Sequence, residues 1–135
     1  MSRRPDSLFA YGSLLLPEVF EAVTRQSRDG VPAVLDGFRR TKLKGFGFPA
    51  ILPEAGMDTS GLIYTALEGA AWRRLDAFED DFYDRKSVLI RLASGELLEA
   101  QTYVLSHRFL HLSLDESWSL DDLDRETLHQ LLARL

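Results

Sequence analysis

The sequence predicts an α+β fold, a small, mixed, strongly curved β-sheet or barrel flanked by two to three helices. Three observations carry this. In residues 31–67, Val31, Ala33 and Leu35 alternate and closely spaced glycines and prolines punctuate the run, which suits strands and turns better than helices. Residues 83–105 read as a hairpin with Ser94-Gly95 at its turn. Helical periodicity is confined to separated stretches after Pro17, Glu68 and Leu120, so strands and helices do not alternate as they do in a βαβ winding.

Nearest the N-terminus, Leu8-Phe9-Ala10-Tyr11 is a short apolar run stopped by Gly12-Ser13, the pattern of a buried strand entering a turn. Pro17 then opens a short helix over Glu18–Gln26, with Val19, Phe20 and Val23 on one face; proline suits the first helical position because its missing N–H has no partner there anyway. Val31, Ala33 and Leu35 alternate as a strand, and glycines and prolines from Gly37 to Gly61 divide the next stretch into short strands and turns. Residues 59–67 close that section as a further strand. Between Glu68 and Glu79 the period lengthens, with Ala71, Trp72, Leu75 and Phe78 on one helical face. Val88, Ile90 and Leu92 alternate in the hairpin, and Leu123, Leu128, Leu131 and Leu132 mark a terminal helix over Leu120–Leu135.

At 135 residues without repeat, linker or low-complexity tract, residues 1–135 read as a single domain. A formal net charge of −5 argues against a general nucleic-acid binder, which needs clustered Lys and Arg to neutralise phosphates. No cysteine is present, which removes disulfides and thiolate metal sites. No apolar run approaches the roughly 20 residues of a membrane helix. The expectation is a cytoplasmic protein with no membrane partner, a monomer or weak homodimer.

Two segments stand out as chemistry. The turn Tyr11-Gly12-Ser13-Leu14 joins a strand to a helix, where successive free N–H groups form an anion-binding nest supported by the helix dipole. The same pattern also describes an ordinary strand–helix turn. Ser13 lacks the G-x-S-x-G context of a nucleophile and has no visible paired base, so it is not expected to act as one. The second segment, Leu75 to Arg85, holds an acidic run from Asp76 to Asp84 at a helix C-terminus. There the dipole disfavours a carboxylate, and burial beside Phe78 and Phe82 would raise the pKa of Glu79 as a general acid/base requires. The plainer alternative is a solvated acidic helix end. His107 and His111 have i, i+4 spacing but lack the H-E-x-x-H glutamate, so surface histidines are expected rather than zinc ligands. Trp72 and Trp118 are expected in the core.

In this order, the segments resemble the γ-glutamylcyclotransferase-like superfamily, especially its AIG2-like branch. The resemblance runs from residue 8 to about residue 118. It rests on Phe9–Leu14 as F-x-Y-G-S/T-L, Pro17, Gly47-Phe48-Pro49, the G-x-x-Y strand Gly61–Tyr64 and an ungapped L-D-x-F-E-x-x-x-Y-x-R over Leu75–Arg85. Tyr103-Val104-Leu105 and a downstream tryptophan complete it. The resemblance implies that backbone amides of Tyr11, Gly12, Ser13 and Leu14 hold the α-carboxylate of a γ-glutamyl group. It implies Glu79 as acid/base, Tyr83 and Tyr103 as pocket hydroxyls, and no metal or organic cofactor. The implied reaction is an acyltransferase/lyase-type conversion of a γ-glutamyl amide, an amine or amino-acid conjugate, into 5-oxoproline and a free amine. The alternative is a non-catalytic module that binds a small carboxylate on the same fold. One departure is expected to bear on substrate choice: the family usually has glycine after the catalytic Glu, and here Asp80-Asp81 follow.

Overall fold

The computed structural model describes residues 5–133. Five strands close into a barrel in the order β1-β3-β2-β4-β5. These are β1 (Leu8–Ala10), β2 (Val31–Lys42), β3 (Pro49–Tyr64), β4 (Tyr83–Leu92) and β5 (Leu97–Leu105). All neighbours run antiparallel except β1 and β5, which meet in parallel at Leu8 and Gln101 and close the barrel. The helices are α1 (Pro17–Thr24), α2 (Gly69–Glu79) and α3 (Arg125–Ala133). The mixed, strongly curved sheet expected from the sequence is therefore a closed barrel, with helices on its outside. No helix among the described residues is long and apolar enough to cross a membrane.

The continuous apolar run of β1 has a direct cause, since both of its faces are covered. Phe9 points into the barrel with Ala33, Leu35, Ile51, Ile63, Ile90, Ala100 and Val104. Leu8 and Ala10 point outward into a second cluster with Val19, Phe20 and Val23 of α1 and Ala71, Trp72, Leu75 and Phe78 of α2. Side chains alternate along a strand, so a strand buried on both faces shows no polar alternation. Phe20 stacks on Tyr64 with ring centroids 3.9 Å apart, fixing α1 to β3. Trp72 and Trp118 are buried, as expected.

Residues 31–64 differ from the short strands the glycine spacing predicts. They form two long strands of 12 and 16 residues. Their register jumps between Asp36↔Asp58 and Phe38↔Pro53. Gly37 and Gly56 take up that irregularity at φ +84, a backbone that glycine adopts without steric cost. Those two glycines therefore bend one ribbon rather than end two strands, and the bend helps the sheet curl toward closure. The Tyr83–Leu105 hairpin forms as expected, from Tyr83↔Leu105 to Arg91↔Leu97. The terminal helical stretch splits into a 3-10 turn at Leu120–Asp122 and α3, and Arg134-Leu135 lie outside the described residues.

His107 and His111 lie on a 3-10 turn (His107–Leu112) and both are exposed. At about three residues per turn, side chains four apart point roughly a third of a turn away from each other. The i, i+4 spacing of an α-helical metal pair does not carry over to this element.

Candidate functional site

β1 delivers the Tyr11–Leu14 segment to the mouth of the barrel. Past Ala10 the chain leaves the sheet at Gly12 and makes a 3-10 turn (Ser13–Leu15) before α1 begins at Pro17. The segment thus does not open straight onto α1, as the sequence suggests. The turn closes through the N–H of Leu15 donating to the Gly12 carbonyl (3.0 Å) and that of Leu16 to the Ser13 carbonyl (3.1 Å). A helical turn cannot satisfy its own first N–H groups, so the amides of Gly12, Ser13 and Leu14 have no partner inside it. The turn is held from behind, where the Tyr64 hydroxyl donates to the Leu14 carbonyl (3.0 Å) and Arg40 Nη1 to the Tyr11 carbonyl (2.9 Å). Gly12 lies close under Pro49: a β-carbon there would meet Pro49 Cγ at 3.0 Å.

α2 ends at Glu79, which is half-buried. Tyr83 opens β4, and Tyr103 lies on β5 paired with Arg85. Tyr11, Gly12, Ser13, Leu14, Glu79, Tyr83 and Tyr103 all line one pocket, so every site residue expected from the sequence comes together. Phe9, Ala10, Phe48, Pro49, Phe78 and Leu131 complete the wall. The pocket is narrow. It encloses about 500 Å³ of empty space including its open mouth, of which only about 40 Å³ is open to the centre of a water molecule.

The polar lining divides sharply by hydrogen-bond polarity. The Tyr11 hydroxyl donates to the Tyr103 carbonyl. The Tyr83 hydroxyl donates to the Pro49 carbonyl (2.7 Å), and the Tyr103 hydroxyl to Asp76 Oδ1 (2.7 Å). A phenol has one proton to give. With that proton committed to the protein, each oxygen can only accept from a ligand. Glu79, when ionised, also only accepts, whereas the turn amides only donate. The pocket thus holds both backbone donors and a set of acceptors that includes Glu79.

Burial pushes the Tyr11 phenol well above its ordinary value, and the nearby Glu79 carboxylate pushes it further. Tyr83 is raised in the same way, first by burial, then by Tyr11 and Glu79. For Tyr103, burial comes first, then the hydrogen bond and charge of Asp76, then the charge of Glu79. Burial alone raises Tyr64. All four tyrosines of the chain are thus held protonated in the fold. An unfolded tyrosine ionises near pH 10, so above that pH the unfolded state releases protons that the folded state keeps. Stability is therefore complete below about pH 10 and falls as pH climbs toward the raised folded values. Tyrosinate absorbance should rise only together with loss of the circular-dichroism signal. Tyrosinate forming in the still-folded protein near pH 10 would contradict this burial.

Two site residues escaped the sequence reading. Asp76 accepts the Tyr103 hydroxyl hydrogen bond and lies 3.2 Å from Arg85 Nη1, and the Arg85 guanidinium sits 5.0 Å from the Trp72 ring centroid. Both belong to the Leu75–Arg85 motif, so their presence was legible but their partner Tyr103, 27 residues from Asp76, was not. The downstream tryptophan has a comparable explanation. Trp118 Nε1 donates to the Gly47 carbonyl (3.0 Å) and so secures the Gly47-Phe48-Pro49 wall.

Asp80 explains the glycine expected after Glu79. Its backbone sits at φ 59, ψ −153, a region that is essentially reserved for glycine. The Asp80 side chain is exposed and faces a side groove with Asp76, Asp84 and Arg85, outside the main pocket. Strain of this kind costs roughly 1–3 kcal/mol. Asp80→Gly is accordingly expected to stabilise the fold by about 1 kcal/mol, after allowance for the greater freedom of an unfolded glycine. An unchanged or lower urea midpoint would show that Asp80 carries no strain.

Comparison with known proteins points the same way. Residues 8–120 match the family described as gamma-glutamyl cyclotransferase, AIG2-like. The chain is 40% identical to AIG2-like protein C of Arabidopsis thaliana over 102 residues, 75% of this chain and 59% of that protein. It is 34% identical to Protein AIG2 C of the same plant over 99 residues, 73% of this chain and 60% of that one. The chain thus spans about three fifths of the length of these relatives. A solution structure from Arabidopsis thaliana superposes with a TM-score of 0.73 at 28% identity, covering 98% of this chain and 78% of the other. A gamma-glutamyl cyclotransferase shares the fold at 15% identity, with a TM-score of 0.68 over 98% of this chain and 100% of the other. With the match extending over most of its length and a relative at 40% identity, the chain belongs to the γ-glutamyl cyclotransferase, AIG2-like family.

Proposed function

We propose that the pocket binds a γ-glutamyl amide and converts it to 5-oxoproline and a free amine, with Glu79 as acid/base. One observation carries the reading: one pocket is lined both by the backbone donors of the turn and by acceptors, the Tyr83 and Tyr103 oxygens and Glu79. An α-amino acid head is a carboxylate beside an ammonium, and it needs both. The amides of Gly12, Ser13 and Leu14 suit the carboxylate. The phenol oxygens of Tyr83 and Tyr103, with Glu79, suit the ammonium. Family membership supports the reading, since the family includes γ-glutamyl cyclotransferases.

In the proposed reaction Glu79 removes a proton from the α-ammonium. The freed amine attacks the γ-carbonyl carbon of the same molecule and closes a five-membered lactam. The C–N bond to the leaving amine then breaks as Glu79 returns that proton to its nitrogen, and the ring nitrogen gives up its second proton through Glu79 to the departing amine, which leaves as an ammonium. No protein nucleophile enters, in keeping with Ser13 as a backbone donor. Holding the chain folded supplies much of the rate, because a well-oriented intramolecular attack can be worth about 7–11 kcal/mol. The phenol protons are committed elsewhere, so the oxyanion is stabilised by backbone N–H groups rather than by the tyrosines.

The test is 5-oxoproline release over a panel of γ-glutamyl dipeptides, glutathione, γ-glutamylamines and bulky γ-glutamyl conjugates, beside α-N-acetylated counterparts that lack the nucleophile. Release from a free-amine substrate and none from its acetylated form is the expected result. A thermal shift with 5-oxoproline or glutamate but no turnover across the panel would instead favour a small-carboxylate-binding module.

A further inference from the structure

α3 contributes to the pocket from outside residues 8–120, the span shared with the family. Leu131 is its one buried residue, and Thr127, Leu128 and Leu132 are half-buried, so the helix touches the body along a single stripe. At the near end of that stripe Thr127 rests on Gly47, where an added β-carbon would fall 2.4 Å from Thr127 Oγ1. Gly47 leads directly into the Phe48-Pro49 wall. One helical turn further on, Leu131 lines the pocket and joins the apolar cluster that contains Leu14 and Phe78. α3 therefore bridges two walls of the pocket. An isolated helix of this length is marginal in water, so the stripe is what keeps it in place.

Leu131 could be read simply as core, since it is only 5% exposed. Its position argues for more, because it faces the same narrow space as Glu79 and the turn amides. The polar groups there are matched to the amino acid head. What remains for the rest of a substrate is an apolar wall of Leu14, Phe48, Phe78 and Leu131.

We propose that Leu131 determines which leaving amine the pocket admits, passing slender alkyl amines and turning away branched or aromatic ones. The proposal rests on the γ-glutamyl reading of the same pocket. Neither Glu79 nor the Tyr11–Leu14 turn is on α3. The chemistry and the size limit are thus set by separate parts of the chain.

The experiment compares wild type, Leu131→Val and Leu131→Ala on γ-glutamyl-n-propylamide and γ-glutamyl-benzylamide, with benzene binding followed by NMR as a readout independent of turnover. Removing or adding one methylene in an apolar pocket shifts selectivity by about 10–200-fold. The benzyl-to-propyl ratio of kcat/KM should therefore rise at least about tenfold in Leu131→Ala, with Leu131→Val in between. Benzene should bind the Leu131→Ala protein and not the wild type. An unchanged ratio while both amides turn over overturns the proposal and leaves the Glu79 reading standing. Benzene bound only by Leu131→Ala, with no turnover by any form, supports Leu131 as the size-setting wall and overturns the γ-glutamyl reading instead. Benzene bound alike by wild type and Leu131→Ala, both folded, overturns the wall itself.

Discussion

Glu79→Gln is expected to lower 5-oxoproline release by about 10²–10⁴-fold, the usual worth of a positioned general acid/base. Glutamine keeps the shape of the side chain and can still accept a hydrogen bond, but it cannot carry the proton from the α-ammonium to the leaving nitrogen. Substrate affinity should stay within several-fold, because the turn amides and the phenol oxygens remain. Glu79 is the one carboxylate among the described residues lining the pocket, and its charge raises the pKa of Tyr11, Tyr83 and Tyr103 together. A group that influences three separate phenols stands among them. Equilibrium binding and steady-state rates on the same variant provide the check. Near wild-type turnover would remove Glu79 from the role and send the search to a solvent-derived base.

Gly61→Ala is expected to cost about 3 kcal/mol or more, at the upper end of overpacking penalties. A β-carbon at Gly61 would lie 2.2 Å from the Ala10 carbonyl oxygen and 2.9 Å from Phe9 Cζ. Backbone cannot swing aside as a long side chain can, so β1 and β3 would have to separate. The damage would reach the site, because the residue after Ala10 is Tyr11. Gly69→Ala serves as the control: the nearest atom to an added β-carbon is Arg73 Nη1 at 3.8 Å, at the start of α2. Alanine there should be neutral or stabilising by a few tenths of a kcal/mol, given its better helix propensity. Urea unfolding of both variants decides the matter. A Gly61→Ala protein as stable as wild type would mean that β1 and β3 do not approach as described.

Much of the architecture was legible because its signals are local. Pro17 marks the start of α1, Ser94-Gly95 the β4–β5 turn, and Ala71, Trp72, Leu75 and Phe78 the buried face of α2. The misreadings share one cause. Gly37 and Gly56 have the composition of turns, yet their strands continue past them, because pairing between β2 and β3 on both sides outweighs the local preference. Likewise, His107 and His111 have α-helical spacing on an element that is not an α-helix. A short polar segment after a strand carries too little periodicity to distinguish the two.

The sequence by itself determined the inventory: an α+β chain, a turn rich in backbone donors, a glutamate at a helix end and two tyrosines beyond it, with Asp80 standing where the family it resembles usually has glycine. Each of these is a statement about neighbours in the chain or about an ordered motif. Only the tertiary structure decided what the inventory does together. Where the phenol protons go depends on Pro49, Asp76 and the Tyr103 carbonyl, each distant in sequence from the tyrosine it serves. That one pocket holds Tyr11 and Glu79 depends on barrel closure, which brings β1 beside β5. That Leu131 walls this pocket depends on how α3 comes to rest on Gly47. Hydrogen-bond polarity and pocket size are relations between remote residues, and residue spacing along a chain carries no record of them.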